Sequence, residues 1–189
     1  MKQALFNLLE QARQDNRFVS VYFKHGKPGS FALGYVDALS PRDFRLRNVH
    51  PNGTFDGLAV HALDDVARAE VEGDYERAMR IVEKNHERLT VPDSLDPAPP
   101  SADIKRHTLE QAMARNAVVE IADKDNDSSW WGYVKELTTT HVILDRIENT
   151  GSPDGRAVAA LDNILTVQCL TPECRKAQLL HQARQAGEL

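Results

Sequence analysis

The sequence predicts a mainly β protein of the α+β class, built from two small barrels that are flanked by helices and joined by a proline-rich linker. Two observations carry this prediction. The segment FDGLAVHALDDV at residues 55–66 returns almost unchanged as PDGRAVAALDNI at residues 153–164. Around both segments, short runs of alternating apolar and polar residues are separated by turns rich in glycine, proline and aspartate, a pattern typical of short strands.

The similar segments belong to a longer repeat. Residues 34–66 align with residues 132–164 without a gap and share thirteen identical residues among thirty-three. The motif LEQA at residues 9–12 also returns at residues 109–112. These identities predict a tandem duplication, in which one architecture is used twice.

Each copy is predicted to follow the order helix, five strands, helix. The first helix of copy one places Leu5, Leu8, Leu9 and Ala12 on one face. The alternating runs that predict strands in copy one lie at residues 17–23, 30–39, 43–49, 57–63 and 65–71. A closing helix is predicted at residues 74–87, and its counterpart in copy two at residues 172–184.

Strands this short are expected to curl into a barrel in order to bury a core. Gly34 and Gly132 lie inside the predicted second strands, where glycine commonly marks a sharp bend. The predicted domains are residues 1–89 and residues 103–189. Residues 90–102 read TVPDSLDPAPPSA and predict an extended linker, because proline stiffens the chain and few apolar residues are present.

The bulk composition excludes several classes of protein. The net charge of −5 is spread over both halves, and no strongly basic segment indicates a polyanion partner. No run of eighteen apolar residues exists, and the N-terminal residues have helical spacing instead of the apolar core of a signal peptide. A cytoplasmic protein without a membrane partner is therefore expected.

Several short motifs occur in both copies. They are Gly-Tyr-Val-x-x-Leu from residues 34 and 132, Phe-x-Leu or Val-Ile-Leu from residues 44 and 142, Gly-x-x-Asp-Gly from residues 53 and 151, and Ala-Leu-Asp-Asp/Asn-Val/Ile from residues 62 and 160. This pattern resembles the Sm-like (Lsm) small barrels of bacterial proteins over most of the chain. The resemblance implies five bent antiparallel strands per domain and assembly by edge-to-edge pairing of fourth and fifth strands.

The resemblance is incomplete at the positions that bind RNA in the family. Sm-like RNA binders carry Asp and Asn between the second and third strands, and Arg-Gly between the fourth and fifth strands. Here the first loop reads LSPRDF and LTTTHV, and the second reads ALDD and ALDN. The arginine is missing from both copies. Carboxylates in its place would repel the phosphate groups of a bound RNA.

A basic cluster in copy one is the candidate site for nucleic acid or another anion. Arg45 and Arg47 alternate along the predicted third strand and therefore share a face. The cluster also includes Arg42 nearby and Lys24 and Lys27 in the preceding loop. The alternative is a solvated strand face whose charge is balanced by nearby aspartates.

Trp130 is the candidate for stacking on a base or anchoring a partner, because its neighbour Trp131 aligns with Leu33 and is expected to pack inward. Inter-domain packing explains Trp130 equally well. The two cysteines, Cys169 and Cys174, form neither a disulfide framework nor a zinc motif. No nucleophile with its base, no phosphate loop and no metal-ligand spacing is present, so no enzyme, cofactor or metal is expected.

Three functions remain open. The first is a non-catalytic interaction or assembly module that binds itself, by pairing of its two barrels or as a homo-oligomer, or binds another protein. Val71 and Cys169, at the ends of the predicted fifth strands, are its candidate edge residues. The alternative is a single-stranded RNA or other nucleic-acid binder, and the third is a small-molecule-sensing regulatory domain, since ILDRI at residues 143–147 resembles the last strand of WYL-type domains.

Overall fold

The computed structural model describes residues 2–27, 29–124 and 126–189. The chain divides into two compact units, residues 1–86 and residues 87–189. The elements of the first unit are α1 (Lys2–Gln14), β1 (Val19–Phe23), β2 (Ala32–Leu39), β3 (Asp43–Val49), β4 (Phe55–Ala62), a 3-10 turn (Leu63–Asp65), β5 (Val66–Val71) and α2 (Asp74–Lys84). A short helix, α3 (His86–Leu89), follows where the predicted closing helix is interrupted.

The elements of the second unit are α4 (Ile104–Ala114), β6 (Val118–Asp123), β7 (Asn126–Leu137), β8 (His141–Ile147), β9 (Pro153–Ala160), a 3-10 turn (Leu161–Asn163), β10 (Ile164–Cys169) and α5 (Pro172–Gln185). Mixed helices and antiparallel strands therefore occur in the order that the alternating pattern predicts. Each unit contains one five-stranded antiparallel sheet, with the strand orders β4-β3-β2-β1-β5 and β10-β6-β7-β8-β9.

The first sheet is covered by a helix on each face. Helix α1 packs on one face, where Leu9 is fully buried. The rest of this core cluster consists of Ala12, Val19, Val21, Val36, Phe44, Leu46, Leu63 and Val66. On the other face, the buried Glu76 of α2 accepts a hydrogen bond from the buried hydroxyl of Ser20 on β1.

The second sheet is also covered by a helix on each face. Helix α4 packs against β6, β7 and β10, with Leu109 and Ala112 fully buried in the core. Helix α5 packs on the other face, where Cys174 and Ala177 cluster with Val118 of β6. Each unit is thus a layer of strands between two helices.

The predicted barrels are not formed, and the two sheets are open. β4 and β5 are the two outer strands of the first sheet, and β9 and β10 are those of the second. A 3-10 turn separates β4 from β5, and β5 pairs with β1 instead. Because a helix packs on each face, the strands need not curl on themselves to exclude water from the core.

Residues 90–102, the predicted linker, are held against the second unit. Arg115 donates a 2.8 Å hydrogen bond to the carbonyl of Ser94, and Arg175 donates one of 2.7 Å to the carbonyl of Val91. Both arginines also lie near Asp93, at 3.6 and 3.5 Å. Most of this segment has no regular secondary structure, and its first half is attached to the second unit.

Within the described part of the chain, no helix combines the length and the apolar character that a membrane crossing requires.

Candidate functional site

The outer strand β4 exposes a row of large apolar side chains. The exposed fractions are 63% for Phe55, 55% for Leu58 and 68% for Val60. Leu58 and Val60 lie opposite Arg47 and Arg45 on β3, so they share the face of the sheet that α2 partly covers. An outer strand also leaves one row of backbone N–H and C=O groups without a neighbouring strand.

The side chains of β4 that point inward contact the core of the first unit, on the face opposite to Leu58 and Val60. His61 points into the core, where its ring lies 4.6 Å from the ring of Phe23 and 5.4 Å from that of Phe44. Burial lowers the pKa of His61, which favours the neutral imidazole. Leu58 and Val60 therefore point away from this core and are exposed on the outer face of the sheet.

The paired motifs Asp56-Gly57 and Asp154-Gly155 lie inside β4 and β9, not in the turns between strands. Gly57 has a φ of +91° and Gly155 a φ of +75°, a conformation that favours glycine. The turn before β4 is made by residues 50–54, where Gly53 donates a 2.7 Å hydrogen bond to the carbonyl of His50. The glycine inside β4 accompanies a shift in its pairing with β3.

The other outer strands expose isolated apolar residues. Val158 on β9 is 59% exposed, and Leu165 on β10 is 60% exposed. The sequence reasoning missed these residues and the row on β4. The available signal was the unbroken apolar run of Leu58, Ala59 and Val60, which exceeds what a strand with one buried face needs.

The two edge residues selected from the sequence lie on outer strands but are not at their exposed positions. Val71 pairs with Val19 and is half-buried against the core of the first unit. Cys169 pairs with Val119 and is half-buried against the second core, and burial raises the pKa of its thiol. A charged substitution at either residue would disturb the core as well as an edge.

The predicted anion-binding arginines are engaged with acidic groups. The Nε of Arg45 lies 2.7 Å from a carboxylate oxygen of Asp37. The guanidinium of Arg47 lies 4.6 Å from the ring centre of Tyr35, and its Nη1 lies 3.9 Å from Glu83. The hydroxyl of Tyr35 donates a 2.5 Å hydrogen bond to Glu83, and burial together with this carboxylate raises the pKa of Tyr35.

The remaining basic candidates lie elsewhere on the first unit. Lys24 donates a hydrogen bond to the carbonyl of Asp64, and the carbonyl of Arg42 accepts one of 2.8 Å from the backbone of Leu63. Both residues therefore border the 3-10 turn, whereas Arg45 and Arg47 share the sheet face next to α2. Lys27 is exposed in the loop after β1.

The two tryptophans separate to opposite faces of β7. Trp131 packs against the α5 cluster, in agreement with its predicted inward orientation. Trp130 is half-buried, and the guanidinium of Arg146 lies 5.6 Å from its ring centre. Arg146 in turn approaches Asp154 at 2.5 Å.

Among the side chains described, no group of three or more His, Cys, Asp or Glu residues is arranged to hold a metal ion. No protein-family model, curated protein or solved structure matches the chain.

Proposed function

We propose that the chain is a non-catalytic assembly module, a tandem of two duplicated Sm-like domains that binds other copies of itself through the outer strands of its sheets. The observation that carries this proposal is the apolar row Phe55, Leu58 and Val60 on the outer strand β4. A long apolar outer strand that has no neighbour on its outer side is a template for pairing with another strand. Association would bury this row and supply the missing backbone partners.

The positions of the outer strands support a head-to-tail geometry for the proposed association. β4 and β5 lie at opposite edges of one sheet, so β4 of one copy would add to β5 of the next. Such a head-to-tail contact repeats until it closes into a ring or continues as a filament. Val158 on β9 and Leu165 on β10 mark the corresponding edges of the second sheet.

The nearby charges agree with a protein partner better than with RNA. Arg45 and Arg47 flank the apolar row on β3, but each has a carboxylate partner, Asp37 or Glu83. An RNA phosphate would have to displace these carboxylates before it could use either cation. Nucleic-acid binding therefore remains the weaker alternative.

The test compares the mass of the full chain in solution with that of a Val60→Arg variant. We expect the parent chain to form an oligomer by light scattering at micromolar concentration. Arginine at Val60 would place a charge in the centre of the joint and shift the mass toward the monomer, because burying an unpaired charge is strongly unfavourable. Val60 is exposed, so its substitution leaves the core intact.

Met113→Arg is the matched control, because Met113 is exposed on α4 and belongs to no strand edge. It should leave the mass unchanged. A parent chain that is monomeric at all concentrations would refute self-assembly, and an oligomer that survives Val60→Arg would remove β4 from the joint. Val158→Arg then tests the second sheet in the same way.

A further inference from the structure

In the second unit, an arginine side chain occupies one end of the sheet. Arg146 lies on β8 opposite Gly132. Its guanidinium lies 2.5 Å from the carboxylate of Asp154 and 5.6 Å from the ring centre of Trp130. A carboxylate and an aromatic ring are two favourable partners of a guanidinium group.

The first unit carries smaller side chains at the same places in its sheet. Asn48 lies on β3 opposite Gly34, as Arg146 lies opposite Gly132. Ala32 pairs with the first strand of its unit at the position that Trp130 has in the other. An open cavity of about 430 Å³ is found there, and the residues that define it include Phe31, Ala32, Asn48, Asp56 and Tyr75.

Two residues that border the cavity, Asn48 and Asp56, carry side-chain acceptors without a donor among the described residues. The side-chain oxygen Oδ1 of Asn48 is buried and has no hydrogen-bond partner among the described residues. Asp56, the counterpart of Asp154, has an exposed carboxylate that forms no ion pair with the described part of the chain. Leaving a buried acceptor unpaired is unfavourable, so the cavity favours a ligand that donates hydrogen bonds.

Aromatic rings complete the lining. The rings of Phe31 and Tyr75 meet edge to face, with their centres 5.4 Å apart. Aromatic rings attract cations as well as apolar groups, and the carboxylate of Asp56 adds a negative charge. The cavity therefore presents a carboxylate and aromatic rings to a ligand. These are the two kinds of partner that Arg146 has within the second unit.

We propose that this cavity binds the guanidinium group of an arginine side chain from a partner protein. The carboxylate of Asp56 pairs with the guanidinium, and Asn48 Oδ1 accepts a further N–H. A guanidinium carries five N–H donors in a planar fork, enough for both acceptors, whereas the ammonium of lysine is a compact point charge. Asp56 belongs to β4, but the site needs no second copy of the chain, so a monomeric chain would still contain it.

The test is an NMR titration of the full chain with N-acetyl-arginine amide, and with N-acetyl-lysine amide as the matched probe. We expect saturable shifts in the Asn48 side-chain amide, with a dissociation constant on the order of 1 mM for the arginine compound. The lysine compound should bind several-fold more weakly. Methylguanidinium, a third probe, should bind less tightly than the arginine compound if the rings contact the aliphatic part of the side chain.

Three variants locate the binding. Asp56→Asn should weaken binding about tenfold, because it removes the charge of the exposed carboxylate. Asp154→Asn is the matched control in the second unit and should leave the affinity unchanged. Asn48→Arg should abolish binding, because it would supply an internal guanidinium as Arg146 does.

The proposal is overturned if the arginine compound gives no saturable shift up to roughly ten times the expected dissociation constant. It is also overturned if the lysine compound binds equally well, or if Asp56→Asn has no more effect than Asp154→Asn. If Asn48→Arg does not fold, the exposed Asp56 still decides the outcome. If methylguanidinium binds as tightly as the arginine compound, the ligand is a small guanidinium compound and the proposed protein partner is wrong.

Discussion

Gly34 and Gly57 are both in strands of the first unit, yet the structure requires glycine at them for different physical reasons. A Cβ atom at Gly34 would lie 2.8 Å from the carbonyl carbon of Arg47 on the neighbouring strand. At Gly57 a Cβ would meet nothing within 4 Å, but the φ of +91° is unfavourable for other residues. The sequence predicted a bend at Gly34, whereas the irregular pairing of β2 comes later, between Val36 and Ala38.

This difference predicts the relative cost of two alanine substitutions. Gly34→Ala should lower the free energy of unfolding by about 3 kcal/mol, because the backbone of Arg47 cannot move away without separating two paired strands. Gly57→Ala should cost only about 1 kcal/mol, the price of a left-handed backbone conformation. Urea unfolding of the two variants measures both values. An equal or reversed order would contradict the close approach of β2 and β3.

At the scale of elements, helix α1 covers the core of the first unit, which closure of the strands would cover in a barrel. The sheet of the first unit is open, and α1 packs across β2 and β5 on its core face. Leu9 of this helix is fully buried, whereas Leu8, one residue earlier, is 38% exposed. The helix therefore belongs to the core and is not an accessory to a barrel that would be complete without it.

We expect Leu9→Ala to lower the free energy of unfolding of the first unit by about 3 kcal/mol, because it leaves a cavity under the helix. Leu8→Ala is the matched control and should lower it by no more than about 1 kcal/mol, because Leu8 is 38% exposed. Thermal or urea unfolding distinguishes the two. Similar small losses for both variants would indicate that the helix is dispensable.

At the scale of the whole molecule, the boundary between units falls before the proline-rich segment and not within it. The compact units divide between residues 86 and 87, and Arg115 and Arg175 hold residues 90–96 against the second unit. Leu89, predicted to end the first domain, is buried and borders a cavity next to Ala117 of the second unit. The segment is therefore part of a folded unit.

This arrangement predicts that a fragment of residues 87–189 is more stable than a fragment of residues 103–189. The shorter fragment loses the burial of Leu89 and the partners of both arginines. Its melting temperature should be lower by several degrees, roughly 4–8 °C for each kcal/mol that is lost in a domain of this size. Calorimetry of both fragments measures the difference. Equal melting temperatures would show that residues 87–102 contribute nothing to the stability of the second unit and act only as a linker.

Much of the local structure could be predicted because it depends on near neighbours in the chain. The spacing of Leu5, Leu8, Leu9 and Ala12 indicated α1, although Leu8 is exposed in the structure, and the alternation of Phe44 and Leu46 with charged residues indicated β3. The candidate site could not be predicted in the same way. The exposure of Val60 and the half-burial of Val71 depend on which strands lie outermost and where each strand faces the core.

The sequence by itself determined the order of helices and strands, the positions of the turns and the repetition of short motifs, because periodicity and turn chemistry act over a few residues. Only the tertiary structure decided that the sheets stay open, that β4 presents its apolar row to solvent, and that Asn48 and Asp56 border a cavity. Those features arise from contacts between residues far apart in the chain, such as the pairing of β1 with β5. Strand alternation assigns each side chain to a face, but packing between elements decides which face and which edge are left uncovered.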